Sequence, residues 1–239
     1  MKTILYKSSE RGHANHGWLD SYHSFSFASY YDPKKVHFGA LRVLNDDTVH
    51  PGYGFGKHPH ENMEIVSIPL FGDLEHKDST GRHEIIKQND VQIMSAGSGI
   101  LHSEMNANKD KEVKFLQIWV FPKEYNIEPR YEQKTFKPED RINIIQTVVA
   151  PDDDKAVHIN QDAWFSLSKL ENETTITYDV KKDSNGVYVF VIDGDVAVDG
   201  QQLAKRDALG ISETNTVTVK ANSNAEVLFI EVPMNIGEN

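Results

Sequence analysis

In Gly56-Lys57-His58-Pro59-His60-Glu61-Asn62-Met63-Glu64, two histidines stand two residues apart and carboxylates follow closely. The surrounding sequence has the pattern of β-structure, and side chains at positions i and i+2 of a strand leave the same face. His58 and His60 are therefore expected to point into one cavity, which is how a protein begins a metal site. For this pair alone an alternative stays open, because partly buried, hydrogen-bonded imidazoles with a structural role are at least as common.

A second pair of candidate ligands lies in Ser95-Ala96-Gly97-Ser98-Gly99-Ile100-Leu101-His102-Ser103-Glu104. The two glycines permit a tight turn, and the strand predicted after the turn presents His102 and Glu104 on one face. Facing the first pair across a small barrel, it would complete a set of three imidazoles and one carboxylate. That set suits a divalent transition metal better than Mg²⁺ or Ca²⁺, which prefer oxygen ligands throughout.

The composition limits the classes of function. A chain of 239 residues can form one large or two ordinary domains. Its net charge of -11 argues against direct binding of DNA, because affinity for the phosphate backbone depends on Lys and Arg. The absence of cysteine leaves His, Asp and Glu as metal ligands. The first residues lack the apolar segment of a signal peptide and no run is long enough to span a membrane, so a cytoplasmic location is expected.

Short β-like runs follow one another along the chain with almost no helical periodicity. In the first half they cover residues 36–44, 65–70, 83–87, 91–94 and 113–121, and in the second half residues 142–149, 163–170, 174–180, 187–192, 216–220 and 226–232. Many short strands separated by turn signals predict an all-β sandwich or barrel. Residues 24–28 alternate with period two, which predicts a half-buried strand there as well.

The two halves of the chain share a weak repeat. Gly72-Asp73 follows a predicted strand in the first half, and Gly194-Asp195 follows the matching strand in the second. The repeat predicts two copies of one β-domain, at residues 1–131 and 132–239, with an interdomain connection in the proline-interrupted segment 122–140. The second copy has no His-x-His pair.

Three further histidines, His13, His16 and His23, lie in the aromatic-rich start of the chain. They lack the spacing of metal ligands. Structural hydrogen bonds or surface positions are therefore expected for them.

The two histidine motifs resemble those of the cupin superfamily. Gly52, His58-Pro59-His60 and Glu64 have the spacing of its first motif, and Gly97-Ser98-Gly99, His102 and Asn106 follow its second. More narrowly, the chain resembles the pirin family of bicupins, and within it the bacterial pirin-like quercetin 2,3-dioxygenases. The segments that carry this likeness are Arg11-Gly12-His13, His16-Gly17-Trp18-Leu19, Ser24-Phe25-Ser26-Phe27, Phe38-Gly39-Ala40-Leu41-Arg42-Val43, Gly54-Phe55-Gly56 and Gln92-Ile93-Met94-Ser95-Ala96-Gly97.

The resemblance implies two tandem cupin barrels, each a double-stranded β-helix or jelly roll, with a metal only in the N-terminal barrel. The implied ligands are His58, His60, His102 and Glu104. Many cupins bind the metal through the glutamate of the first motif, here Glu64, whereas pirins use the position of Glu104. Glu104 is therefore expected as the ligand, and Glu64 as a partner of the ligands or a spare base. Fe²⁺ is the expected ion, with Mn, Co, Ni, Cu and Zn as alternatives.

The activity implied by the resemblance is that of a quercetinase, a metal-dependent dioxygenase that opens a flavonol such as quercetin with O₂ and releases carbon monoxide. The metal would lower the pKa of the substrate 3-hydroxyl, and Glu104 or Glu64 would take its proton. The partners would be a small planar aromatic substrate and O₂, without an organic cofactor. Candidates for lining the pocket are Phe38, Phe55, Ile65 and Met94.

Two other functions stay open at this point. Eukaryotic pirins are described as iron-dependent transcriptional coregulators, and some bacterial pirins as bound to metabolic enzymes. The second hypothesis is therefore a metal-dependent, redox-sensing regulatory protein that binds a protein partner without physiological flavonol turnover. The acidic surface permits such a partner while disfavouring DNA. The third hypothesis is a metal-free structural bicupin.

Overall fold

The computed structural model describes residues 1–237, which are built almost entirely of β-strands. The strands of the first half are β1 Lys2–Tyr6, β2 Gly12–Asn15, β3 Leu19–His23, β4 Leu41–Val49, β5 Gly54–His60, β6 Glu64–Phe71, β7 Leu74–Asp78, β8 His83–Ile86, β9 Asp90–Ser95, β10 Ile100–Asn106, β11 Val113–Val120 and β12 Arg130–Thr135. Those of the second half are β13 Gln146–Ala150, β14 Val157–His158, β15 Trp164–Leu170, β16 Thr175–Asp179, β17 Asn185–Asp193, β18 Val196–Val198, β19 Gln201–Leu203, β20 Ala208–Ser212, β21 Thr216–Ala221 and β22 Ala225–Pro233.

Two short 3₁₀ helices, Ser8–Glu10 and Pro138–Arg141, supply the helical structure of the described chain. Within residues 1–237, no helix is long and apolar enough to cross a membrane.

The strands form two barrels with matching layouts. In the first barrel the sheet orders are β12-β9-β6-β11-β4-β3-β2 and β5-β10-β7-β8, and in the second they are β1-β20-β17-β22-β15-β13-β14 and β16-β21-β18-β19. In the first barrel, Leu19 and Val49 of the large sheet pack against Leu74 and Ile86 of the small sheet. The predicted all-β architecture with two barrels is confirmed.

The largest apolar cluster of the molecule lies between the two large sheets. Val66 and Ile118 contribute to it from the first barrel, and Tyr188 and Ile230 from the second. In β17, Tyr188 faces this cluster, whereas the adjacent Val189 faces the interior of its own barrel. The strand is therefore buried on both faces, which explains why its sequence is a continuous apolar run instead of an alternating one.

The interior of the second barrel is apolar at the strands that correspond to β5 and β10. By its place in the sheet, β16 corresponds to β5, and β21 corresponds to β10. β16 carries Ile176 and Tyr178 on its inner face, and β21 places Val219 and Val217 directly opposite them. Large apolar side chains thus fill the region in which the first barrel carries its histidines.

Two strands bear on the predicted domain boundary between residues 131 and 132. β1 pairs with β20, so the first strand of the chain completes the large sheet of the second barrel. β12 pairs with β9 and belongs to the first barrel, so the boundary falls inside a strand. The segment 122–140 is therefore only partly a connection, and the division at residue 131 stays a prediction.

The predicted strand at residues 24–28 is wrong. Ser24, Phe25 and Ser26 are all buried instead of alternating, and the segment contributes only an isolated bridge between Phe27 and Tyr30. The Ser26 hydroxyl bonds the backbone of Asp32, which closes a local loop. Short polar side chains that satisfy the backbone of a loop produce the same alternation with aromatic residues as a half-buried strand does.

Replacing Tyr6 with alanine is expected to lower the free energy of unfolding by about 3–5 kcal/mol. The ring is buried against Phe25 and Tyr188, with centroids 5.7 and 5.1 Å away, and it fixes the first strand to the second barrel. Urea denaturation measures the change. Leu5→Ala is the matched control in the same strand, since Leu5 is 37% exposed and should lose much less. Equal losses in the two variants would contradict this role for Tyr6.

Candidate metal centre

Two adjacent strands of the small sheet, β5 and β10, form the frame of the site. They run antiparallel with His58 directly opposite His102 and with His60 opposite Ile100. Residues directly opposite each other share a face of the sheet, as do residues two apart in one strand. His58, His60 and His102 therefore point to the same side, as the spacing of each motif predicted.

The three imidazoles converge on one point. Ring centroids are 4.4 Å apart for His58 and His102, and 4.9 Å apart for His60 and each of the other two. One ring nitrogen from each histidine lies within 4.8 Å of the other two. Among the described residues this is the one group of three or more such side chains that is close enough to hold an ion.

The surroundings of His60 and His102 favour neutral imidazoles that are ready to bind a metal. Burial, reinforced by the imidazoles of His58 and His60, lowers the pKa of His102 to about 2. Burial and the His58 ring lower the pKa of His60 to about 4. The Nδ1 of His58 lies 2.7 Å from the carbonyl oxygen of Gly56, so it donates there and leaves Nε2 free to bind an ion.

His102 shows most directly that this donor set fits a metal ion. Its side chain is buried, and neither ring nitrogen has a hydrogen-bond partner within the described part of the chain. A buried polar atom without a partner is costly, and coordination of an ion removes that cost. Imidazole ligands suit Fe, Ni, Cu and Zn ions.

The carboxylate of Glu104 lies buried next to this cluster along β10 but outside it. A register shift separates it from His102, and it is not among the donor atoms that lie within 4.8 Å of one another. Its two oxygens accept hydrogen bonds from the Ser67 hydroxyl, at 3.1 Å, and from the Gln117 amide. Burial raises the pKa of Glu104 to about 7 against the opposing effect of these bonds. Coordination by Glu104 stays a prediction.

Glu64 lies on the opposite face of β6. Ser67, three residues further along this strand, faces the barrel interior, and side chains of a strand alternate between its faces. The Glu64 carboxylate accepts hydrogen bonds from the Ser95 hydroxyl, at 2.8 Å, and from the backbone of Asn160 in the second half of the chain. The structure does not bring Glu64 to the histidines, which corrects the expectation that it acts there as a partner or a base.

A row of buried polar side chains crosses the first large sheet beside Glu104 and was not predicted. The register sets His23 opposite Asn45, Asn45 opposite Gln117, Gln117 opposite Ser67, and Ser67 opposite Gln92. Gln117 and Ser67 hold Glu104. Such residues could have been recognised in the sequence as single polar residues within apolar runs, as Ser67 is in Ile65-Val66-Ser67-Ile68.

Of the three histidines at the start of the chain, His23 belongs to this row and is buried, with its ring 5.3 Å from Phe27. His13 is exposed and lies 2.6 Å from the Asp20 carboxylate. His16 is exposed. As predicted, none of them lies in the histidine cluster.

An open cleft of about 520 Å³ borders His60. It is lined by Pro59, His60, Glu61, Ser79, Gly99, Ile100 and Leu101. Another cavity, of about 260 Å³, lies between the two barrels and shares no residue with the histidine site. Of these two spaces, the first cleft gives a small molecule access to His60.

The four residues predicted to line the pocket lie in three different surroundings. Ile65 and Met94 form a small apolar cluster with Trp119, whose ring lies 4.8 Å from that of His60. Phe55 packs against Trp18 instead. The prediction for Phe38 is wrong, because its ring lies in the core between the two barrels.

Comparison with known families agrees with this architecture. A family model described as Pirin matches residues 6–120, and a model described as the quercetinase C-terminal cupin domain matches residues 147–232. Quercetin 2,3-dioxygenase of Escherichia coli K12 is 42% identical over 230 residues, which cover 96% of this chain and 98% of the relative. The chain belongs to the pirin family. The resemblance seen in its motifs and the two-cupin fold are both confirmed.

Other pirins are similar over nearly the whole chain. A pirin-like protein of Caulobacter vibrioides is 40% identical and covers 92% of this chain and 95% of its own. The crystal structure of YhhW from Escherichia coli has a TM-score of 0.93 at 40% identity and covers 99% of this chain and 100% of its own. A second YhhW structure, in complex with nickel(II), has a TM-score of 0.92 at 40% identity and covers 97% and 99%.

Binding of nickel(II) at pH 6 is expected to release about one proton from Glu104. The carboxyl is mostly protonated at pH 6, because burial raises its pKa to about 7, and a ligand binds as the carboxylate. His60 and His102 release none, since their pKa values lie well below 6. The released proton should disappear well above pH 7. Calorimetry in two buffers of different ionisation enthalpy counts the protons.

Glu104→Gln should lower the number of protons released at pH 6 by about one, because the amide has no acidic proton. Glu64→Gln is the matched control, because it makes the same change in a buried carboxyl on the other face of the sheet. It should leave the release intact. A Glu104→Gln protein that releases as many protons as the native chain would exclude Glu104 as their source.

Proposed function

We propose that this pirin is a metal-dependent dioxygenase that opens flavonols such as quercetin with O₂ and releases carbon monoxide. The observation that carries the proposal is the convergence of His58, His60 and His102 beside an open cleft. The similarity to the Escherichia coli chain named quercetin 2,3-dioxygenase supports it.

The proposed ligands are His58, His60, His102 and Glu104. We expect Fe²⁺ in the native protein, while Mn, Co, Ni, Cu and Zn ions accept the same donors. The nickel(II) complex of the Escherichia coli pirin supports a transition metal in this fold. When bound, such an ion would supply the Lewis acidity and the reactivity toward O₂ that the side chains of a cysteine-free chain lack.

Glu104 is the proposed base for the 3-hydroxyl proton of the substrate. Its buried carboxylate lies next to the imidazoles along β10, and binding of the ion would leave it ionised, which is the form that accepts a proton. The Ser67 hydroxyl and the Gln117 amide hold the carboxylate in one orientation. Glu64 has no part in the proposal, since its hydrogen bonds lie on the far side of β6.

The cleft beside His60 suits a small planar aromatic substrate. Pro59, Ile100 and Leu101 supply apolar surface, while Glu61 and Ser79 add polar groups. Its volume of about 520 Å³ lies within the range of about 300–1,000 Å³ that is usual for ligand pockets. A flavonol that enters here approaches the imidazole of His60 from the solvent side.

The metal-loaded protein should consume O₂ and release carbon monoxide when quercetin is added. His60→Ala should lower the rate by more than about 100-fold, since the loss of even an outer partner of a ligand costs about 10–100-fold. His83→Ala is the matched control, because His83 is an exposed histidine outside the cluster, with its ring 2.7 Å from the Glu75 carboxylate. An oxygen electrode measures the uptake. Equal rates for the native protein and His60→Ala would refute the proposed activity.

A further inference from the structure

A histidine and an aspartate of β7, His76 and Asp78, lie on the inner face of the small sheet beside the metal cluster. β10 pairs with β5 on one side and with β7 on the other. The register sets Asp78 directly opposite His102, and His76 opposite Glu104. Because residues directly opposite each other share a face, His76 and Asp78 point to the same side as the cluster.

His76 and Asp78 form a buried, hydrogen-bonded dyad. The Nε2 of His76 lies 2.9 Å from Oδ2 of Asp78, and both side chains are fully buried. The other oxygen of Asp78 accepts bonds from the backbone N–H of Thr80, at 2.9 Å, and from its hydroxyl, at 2.6 Å. These contacts hold Asp78 as an acceptor, so His76 carries its proton on Nε2 and presents Nδ1 as a bare acceptor.

Three buried ring nitrogens next to each other lack a partner within residues 1–237. They are Nδ1 of His76 and both ring nitrogens of His102. The two rings lie 5.4 Å apart, centroid to centroid, at an angle of 47°. When one nitrogen of His102 binds an ion, the other becomes an N–H donor that requires an acceptor. His58 has such an acceptor in Gly56, and the unpartnered Nδ1 of His76, on the ring 5.4 Å from that of His102, is an acceptor that could serve His102.

We propose that the His76–Asp78 dyad positions His102 for metal binding. His102 donates its free ring N–H to Nδ1 of His76, directly or through one water, and Asp78 fixes the tautomer that makes this bond possible. The inference rests on the metal site of the proposed function and is independent of flavonol turnover. It makes His76 and Asp78 positioning residues that raise the basicity of the ligand and set its orientation.

The second barrel provides an internal comparison. The strand in the place of β7 is β18, and its inner residues are Val196 and Val198, both buried among apolar side chains. The barrel that lacks the histidines thus also lacks the dyad.

The test is the affinity of the protein for nickel(II), measured by competition with a chelator. His76→Phe keeps a ring of similar shape but removes the acceptor, and it should weaken binding about 10–100-fold with one ion still bound per chain. His76→Gln should recover most of the loss, because the amide can donate to Asp78 and accept from His102. His83→Phe, the same change at an exposed histidine in the neighbouring strand, should leave the affinity unchanged.

Two outcomes would overturn the proposal. One is an affinity of His76→Phe equal to that of the native protein. The other is an X-ray absorption spectrum in which His76→Phe loses one imidazole from the ion, because His76 would then be a ligand itself. Native protein that binds no nickel would refute the metal site as well, whereas tight binding without quercetin turnover would refute only the proposed activity.

A measurement on the native chain covers the case in which the variants do not fold. Long-range ¹H–¹⁵N spectra of the zinc-loaded protein report the protonation of each imidazole nitrogen. The expected result is His76 protonated on Nε2 alone and a slowly exchanging proton on the metal-free nitrogen of His102. A proton on Nδ1 of His76 would exclude it as the acceptor.

Discussion

The antiparallel register between β5 and β10 is the constraint on which the site depends. It places His102 opposite His58 and brings His60 to the same face. A slip of one residue would turn one of the two histidine strands to its other face and separate the imidazoles. The turn before β10 supports the register, since Gly97 has a φ of +48° and a side chain there would collide with the backbone of Ile127. The spacing of the second motif therefore serves both the turn and the ligands.

The two barrels show what a polar interior requires. Where the second barrel has Ile176, Tyr178, Val217 and Val219, the first has imidazoles and a carboxylate. Buried polar groups are costly unless they are paired, and the first barrel pairs Glu104 through Ser67 and Gln117. The large apolar core that stabilises the folded chain lies between the barrels, and both barrels contribute to it. The first barrel thus carries the candidate metal site, whereas the interior of the second barrel is apolar.

Much of the fold and part of the site could be predicted from the sequence. The period-two spacing of His58 and His60 was informative because side-chain direction in a strand is a local property. The sequence could not show that Glu64 faces away from the cluster, since that depends on which face of β6 meets the second barrel. Nor could it show that β1 joins β20, because pairing across some two hundred residues leaves no local signal.

The His76–Asp78 dyad was missed for a related reason. The pair has the same i, i+2 spacing as the ligand motifs, but only the pairing of β7 with β10 sets it beside His102. Spacing within one strand is readable from the sequence, whereas the choice of neighbouring strand is decided by tertiary packing. The family resemblance implied the proposed ligand set, and the structure revealed the dyad that we propose as the group that orients His102.

The most direct test of the account is the anomalous diffraction of a nickel(II)-loaded crystal. The account predicts one peak per chain, bounded by the imidazoles of His58, His60 and His102 and by an oxygen of Glu104, with none in the second barrel. A peak elsewhere, or an ion bound by the three imidazoles without an oxygen of Glu104, would contradict it.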